Sequence, residues 1–271
     1  MLFFEPALSG NGRRSCASCH RPEKAFTDHR ITARATRFTA NLRRNSPTLL
    51  EAAGQRAFFH DGRAGSLADV VRQVVENPEE LGNSYAQITD RLGQSAEYQQ
   101  LFRRALGAPV SAAGLDAALT AYVGSLGSRD APYDRARRGR AVLPAEARAG
   151  EQLFAQAAPR GLGCAGCHAG PAFRDGRRYE VRPGDWVKTP TLRNVALTPP
   201  YNADGQAATL PDVLETPFHR ARLPRPLRPT EQTQLLAFLA ALTDTASAEH
   251  RPPTRLPDVP ALPERQVGGL Y

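Results

Sequence analysis

Two pentapeptides repeat one spacing of two thiols and an imidazole: Cys16-Ala17-Ser18-Cys19-His20 and Cys164-Ala165-Gly166-Cys167-His168. In Cys-x-x-Cys-His the thiols can add across the two vinyl groups of one haem, while the adjacent imidazole turns onto the iron as proximal ligand. The motifs use all four cysteines of the chain, so two covalently held haem c groups are expected and no thiol remains for a disulfide. A structural zinc site usually closes over a loop of about 15–20 residues between its cysteine pairs. Here the pairs lie far apart and a His follows each directly. A thioredoxin-like dithiol would need a βαβ setting, which neither motif has.

The elements that must position these motifs can be read coarsely. Ser66 is a suitable N-cap for an amphipathic helix running to about Glu76, with Leu67, Val70, Val71 and Val74 inward. Thr209 opens the equivalent helix in the second half, over 209–215, stopped by Pro217. Further helices fit 84–92, 96–106, 112–125, 144–157 and 230–242. Strand-like alternation is nearly absent. The chain also repeats itself, at a period between 143 residues (Pro47 to Pro190) and 148 residues (Cys16 to Cys164). Asp61-Gly62-x-Ala64-x-Ser66-Leu67-x-Asp69-Val70 returns as Asp204-Gly205-x-Ala207-x-Thr209-Leu210-x-Asp212-Val213. The expectation is a mainly α fold of two tandem cytochrome c-like haem domains related by internal duplication. They would span 1–127 and 144–248, with an Arg-rich linker at 128–143 and a Pro-rich tail at 249–271 lying along the surface.

Composition excludes some classes. No run of about 18 apolar residues occurs, so no membrane span is expected. The net charge of +8 is spread as single Arg residues, which argues against nucleic acid. It leaves either a basic rim that attracts an acidic protein partner or a merely solvated surface. Haem attachment to this motif takes place outside the bacterial cytoplasm, so a periplasmic location is expected, with an export signal removed or upstream. The second motif is preceded by a helical stretch, whereas fifteen residues precede Cys16. Leu2-Phe3-Phe4 reads as the stump of the same helix, and the native N-terminus is expected to be missing.

The tandem motifs, together with Phe58-Phe59-His60-Asp61-Gly62-Arg63-Ala64 and Lys188-Thr189-Pro190-Thr191-Leu192-Arg193-Asn194-Val195-Ala196-Leu197-Thr198, resemble the bacterial di-haem cytochrome c peroxidase family, which includes MauG. The resemblance implies a peroxide-reacting haem on His20 and an electron-relay haem on His168. It implies electrons from a small cytochrome c or cupredoxin or, in the manner of MauG, from residues of a partner protein. A non-catalytic di-haem electron-transfer cytochrome is the rival from another class. Oligomeric state stays open, a homodimer among the options.

Carried onto this chain, the resemblance places the distal glutamate at Glu80, where it would move a proton between the peroxide oxygens. Residues 34–44 contain no His to block this site, so reaction with peroxide without prior reduction is expected. Three departures stand out. The usual distal Met of the relay haem falls on Pro217, with His219 two residues on as the candidate nitrogen ligand to iron. His60 replaces the tryptophan between the haems. The distal glutamine expected near Val70 is missing, with Gln73 the nearest substitute. The resemblance also implies one calcium ion between the domains, held by Asn45 and the carbonyls of Thr198 and Pro200. Trp186 is read as a packing residue, Tyr201 as an electron relay or a packing residue, and His29 and His250 as surface residues.

Overall fold

The structure is a computed structural model of the 271-residue chain; it describes all residues except 37–39, 129, 158–160, 246–249 and 271. It is helix-rich, and its apolar side chains gather into two main clusters. The first spans Leu2 to Leu126 and takes in Val259 from the tail. The second runs from Phe154 to Leu242.

The first cluster is enclosed by α1 (Leu67–Glu76), α2 (Tyr85–Gly93), α3 (Ala96–Leu106) and α4 (Ala112–Ser125). Each starts where the sequence offers a serine. Ser66, Ser84, Ser95 and Ser111 accept from the backbone N–H three residues on, at 3.1–3.3 Å. Each such cap contributes about 1 kcal/mol. The amphipathic faces then bury Val75, Ile88, Leu92, Tyr98, Phe102, Leu115, Leu119 and Val123. Leu2–Phe4 forms a 3-10 turn packed on α4.

The second cluster is built on α6 (Ala145–Ala155) crossing α9 (Pro229–Ala241). Gly150 permits the crossing: a Cβ there would overlap the Gln234 carbonyl oxygen and stand 2.9 Å from Phe238 Cβ. Gly150→Ala is therefore expected to cost about 1–3 kcal/mol, as overpacking does, measurable by urea denaturation.

Several expectations are corrected here. A two-stranded antiparallel hairpin is present, β1 (Arg178–Arg182) with β2 (Asp185–Lys188), turning at Gly184, whose φ is +73°. Arg178, Glu180 and Arg182 alternate with Tyr179 and Val181, but the two strands are only five and four residues long and their pairing slips between Glu180 and Arg182. Within 128–143 lies α5 (Pro132–Arg137), fixed by Arg193, whose guanidinium makes a two-pronged bond to Asp134 at 2.8 and 2.9 Å. Pro217 does not merely end α7 (Leu210–Leu214). It is the first residue of α8 (Pro217–Arg220), where its missing N–H costs nothing. The tail does not simply lie on the surface. Val259 is buried, Gly268 N donates to Phe4 O at 2.8 Å, and Arg265 pairs with Glu5 at 2.6 Å in the interior. The expected boundary at 248 falls outside the described residues. No described helix is long and apolar enough to cross a membrane.

Candidate haem sites and the seam between them

Both motifs fold as one 3-10 turn, Cys16–Ser18 and Cys164–Gly166, in which the His N–H donates to the first Cys carbonyl at 2.9 and 3.0 Å. His20 Nδ1 donates to Phe26 O at 3.0 Å, and His168 Nδ1 donates to Phe173 O at 3.2 Å. With Nδ1 carrying the proton, Nε2 keeps its lone pair for a metal. Phe26 and Phe173 present their carbonyls from left-handed backbone, φ +59° and +51°. Thr48 Oγ1 and Thr191 Oγ1 anchor the residue before each Phe, at 2.7 Å to Ala25 O and Ala172 O.

Burial lowers the pKa of both imidazoles, holding them in the neutral, ligating form. Burial also pushes the Cys16 thiol up to about 12 and the Cys164 thiol up to about 11, so neither is a reactive thiolate. Among the described residues no three His, Cys, Asp or Glu side chains converge as a metal cluster. The donor set of each motif fits a haem: two thiols for its vinyl groups and one imidazole whose Nε2 keeps its lone pair for the iron.

Glu80 lies on the turn after α1, half-buried, with Asn77 Nδ2 donating to its Oε1 at 2.9 Å. Its charge bears on both Cys16 and Cys19, which puts it within electrostatic reach of the first motif. Burial raises its pKa, against the Asn77 hydrogen bond and the charges of Arg63 and Arg14. Gln73 bridges Asp69 Oδ1, at 3.1 Å, and Arg63 Nε, at 3.2 Å, while Arg63 stacks 3.5 Å over the Phe59 ring. Arg63 and Asn77 were not singled out from the sequence. Asn77, three residues before Glu80 in a turn, was the available signal.

His60 and the residues expected to hold calcium gather at the seam between the halves. His60 Nε2 donates to Asn45 O at 3.1 Å, and His60 O accepts from Lys188 N on β2 at 2.8 Å. Burial, helped by the charges of Lys188 and Arg44, takes the His60 pKa down to about 4. Asn45 reaches across to the second half: Nδ2 donates to Pro200 O (3.2 Å) and Asn202 O (2.8 Å), and its N–H to Ala203 O (3.1 Å). Thr198 lies two residues away, its hydroxyl on Val195 O at 3.1 Å. A cavity of about 370 Å³ opens on the same seam, lined by Gln55, Arg56, Arg174, Asp175, Lys188 and Thr189 among others.

His219 is half-buried on α8, its Nδ1 3.0 Å from Thr216 Oγ1. Burial first, then the charges of His168 and Arg222, take its pKa down to about 4. Tyr201 packs half-buried against the second cluster. Trp186 is not a packing residue: on the outer hairpin it is 50 % exposed. His29 is exposed, with Nε2 on Leu197 O at 2.9 Å. His250 is not a free surface residue, because the tail carries it edge-on against Phe26 and Tyr122, with centroids 5.6 and 6.2 Å away.

Comparison with known proteins agrees with this geometry. Residues 1–142 match the family model described as di-haem cytochrome c peroxidase. The chain is 33 % identical over 273 residues to a methylamine utilization protein MauG of Methylorubrum extorquens, covering 89 % of this chain and 76 % of the relative. It is 29 % identical over 284 residues to a cytochrome c551 peroxidase of Nitrosomonas europaea, covering 96 % and 81 %. A solved MauG-like protein associated with microbial copper homeostasis superposes with a TM-score of 0.82 at 25 % identity, covering 92 % and 89 %. The diheme peroxidase BthA of Burkholderia thailandensis, at 22 % identity, shares the fold with a TM-score of 0.76 over 96 % and 88 %. Two Cys-x-x-Cys-His turns whose imidazoles keep Nε2 for a metal, together with the family match over residues 1–142 and the 33 % identity to MauG, make this chain a member of the di-haem cytochrome c peroxidase family, an oxidoreductase of the cytochrome c peroxidase type.

Proposed function

We propose that this protein reduces hydrogen peroxide at a haem held by Cys16, Cys19 and His20, with electrons drawn through a second haem held by Cys164, Cys167 and His168. The observation that carries the reading is Glu80, a carboxylate fixed by Asn77 within electrostatic reach of the first motif. The haems would supply redox-active iron, one reacting with peroxide and one passing electrons. Glu80 Oε1 is occupied by Asn77, so Oε2 is the oxygen that takes the proton from the attacking peroxide oxygen and returns it to the departing one. Gln73 acts at one remove, holding Arg63, whose charge bears on Glu80. Arg174 and Lys188 in the seam cavity suit the carboxylates at a haem edge. His60 lies on the seam where electrons must cross, and an imidazole is harder to oxidise than the indole of the family pattern.

The matched environments of His20 and His168 support descent of the two halves, 1–127 and 144–248, from one duplicated haem domain. We place the enzyme in the periplasm, with a small cytochrome c or cupredoxin as donor. The MauG-like alternative, oxidation of residues on a partner protein, has one observation in its favour. His29, His60 and His219 are engaged by Leu197, Asn45 and Thr216, which supports a first site open without reductive activation.

The test is to mix the fully ferric, haem-loaded protein with a slight excess of hydrogen peroxide and follow the Soret band on the millisecond scale. A rapid change is expected. An inert ferric protein that reacts after one-electron reduction points to a blocking ligand, and inertness in both states to a simple electron carrier. A cytochrome donor then separates turnover as a peroxidase from MauG-like oxidation of a protein.

Calcium at the seam belongs to the same proposal. Asn45 Oδ1 is buried without a hydrogen-bond partner, an orphaned oxygen beside Pro200 that suits calcium's oxygen-rich sphere together with the Thr198 and Pro200 carbonyls. Added calcium at about 100 times its Kd should stabilise the protein by roughly 2.7 kcal/mol, and Asn45→Ala should abolish that rise in Tm. An equal rise in the variant would remove Asn45 from the site.

A further inference from the structure

We propose that His219 is the second axial ligand of the iron at the C-terminal motif, so that this haem is held between two histidines, His168 and His219. The inference rests on the reading above that Cys164 and Cys167 carry a haem.

The tautomer of His219 is decided by its neighbours. The Thr216 hydroxyl has one proton, and it goes to Val213 O at 2.8 Å. Toward His219 Nδ1, 3.0 Å away, the hydroxyl oxygen can then only accept, so Nδ1 carries the hydrogen and Nε2 keeps its lone pair. This is the device found at His20 and His168, where a carbonyl oxygen fixes Nδ1–H. Imidazoles that ligate metals are oriented in this way by their other nitrogen. A surface histidine has no need of it.

Position points to the same iron. His219 lies within electrostatic reach of His168. Its ring meets Phe218 edge-on at 5.3 Å, and Phe218 meets Tyr179 at 6.2 Å. The Tyr179 hydroxyl in turn donates to Asp175 at 2.6 Å and lies within electrostatic reach of the Cys167 thiol. Arg222 closes the other face of Phe218, 3.6 Å from its centroid. The second motif and His219 are therefore linked through Phe218 and Tyr179. Pro217, where the family pattern places Met or Tyr, has no donor atom, and Met1, the chain's single methionine, is exposed at the other end. Pro217 instead starts the turn that brings His219 inward. Two imidazoles give a lower potential than Met/His ligation, which makes this haem the readier to lose an electron to the first.

The test is spectroscopic and needs no turnover. The ferric wild-type protein should show a low-spin bis-imidazole signal in low-temperature EPR and the matching near-infrared charge-transfer band. His219→Gly should abolish that signal completely with two haems per chain retained, and added imidazole should restore it. His219→Met should move the near-infrared band to the Met/His position and raise that haem's midpoint potential. Two haems per chain with an unchanged low-spin signal in His219→Gly overturns the ligand assignment alone. A chain carrying a single haem, at Cys16 and Cys19, overturns the assignment together with the reading beneath it.

Discussion

Glu80→Gln is expected to slow the reaction of the ferric protein with hydrogen peroxide by about two to four orders of magnitude, the usual worth of a positioned acid/base group, while leaving both haems attached. Glutamine keeps the size of the side chain, and its carbonyl can still accept from Asn77 Nδ2, which is 2.9 Å from Oε1 in the native protein. What is lost is an oxygen able to carry a proton. The substitution thus separates proton transfer from packing. Stopped-flow rates under pseudo-first-order peroxide, with haem content counted in parallel, make the measurement.

The pH profile sharpens this result. Peroxide must lose a proton to Glu80, so the carboxylate is the active form and the rate falls as pH is lowered through its pKa. Burial raises that pKa above the ordinary 4.5, so the acid limb should lie above the usual carboxylate range. In Glu80→Gln the limb should vanish along with the rate. A variant that reacts as fast as the native protein would reduce Glu80 to a helix-end carboxylate beside Glu79.

The parts of this molecule that were legible in sequence are those whose physics is local. A Cys-x-x-Cys-His turn closes on its own backbone, and α1 to α4 begin at serines whose caps reach three residues. The expected spans for α1, α3 and α4 therefore agree with the structure. The misses depend on distant partners. The helix α5, six residues long, is held by Arg193, 59 positions from Asp134. The hairpin strands are five and four residues long, so their alternation of charged and apolar residues is too short to register, and Trp186 stands out in solvent. At the candidate sites the same division holds. Glu80 and His219 were visible as residues, and Asn77 was within reach as a turn residue three before Glu80, but the parts played by Arg63 and Thr216 became visible only when the chain was folded.

The tail is the largest such miss, and it carries the second strong expectation: Arg265→Ala should cost about 3–5 kcal/mol, the penalty for leaving one member of a buried ion pair unpaired. Glu5 and Arg265 are almost sealed from solvent, with side-chain exposures of 0 % and 4 %. Glu5 also accepts from Tyr98 at 2.5 Å and from Ala7 N at 2.9 Å, so its carboxylate cannot swing out to water when the guanidinium goes. Arg265 further ties the tail to itself through Leu262 O and Pro257 O, so truncation loosens Val259, Leu262 and Val267 from the first core. The consequence reaches the first motif, because Ser15 and Ser18, which flank Cys16, both donate to Gly268 O at 2.7 and 2.9 Å. A domain stable by about 5–15 kcal/mol would lose a large share, and the first haem site should loosen with it. Arg255→Ala is the matched control, since its pair with Glu97 is exposed at 68 % and 40 % and should cost under about 1 kcal/mol. Replacing both members, Glu5→Gln with Arg265→Met, should recover part of the loss by removing the stranded charge. Equal denaturation midpoints for Arg265→Ala and Arg255→Ala would mean that the tail is an ornament on the first domain and not its latch.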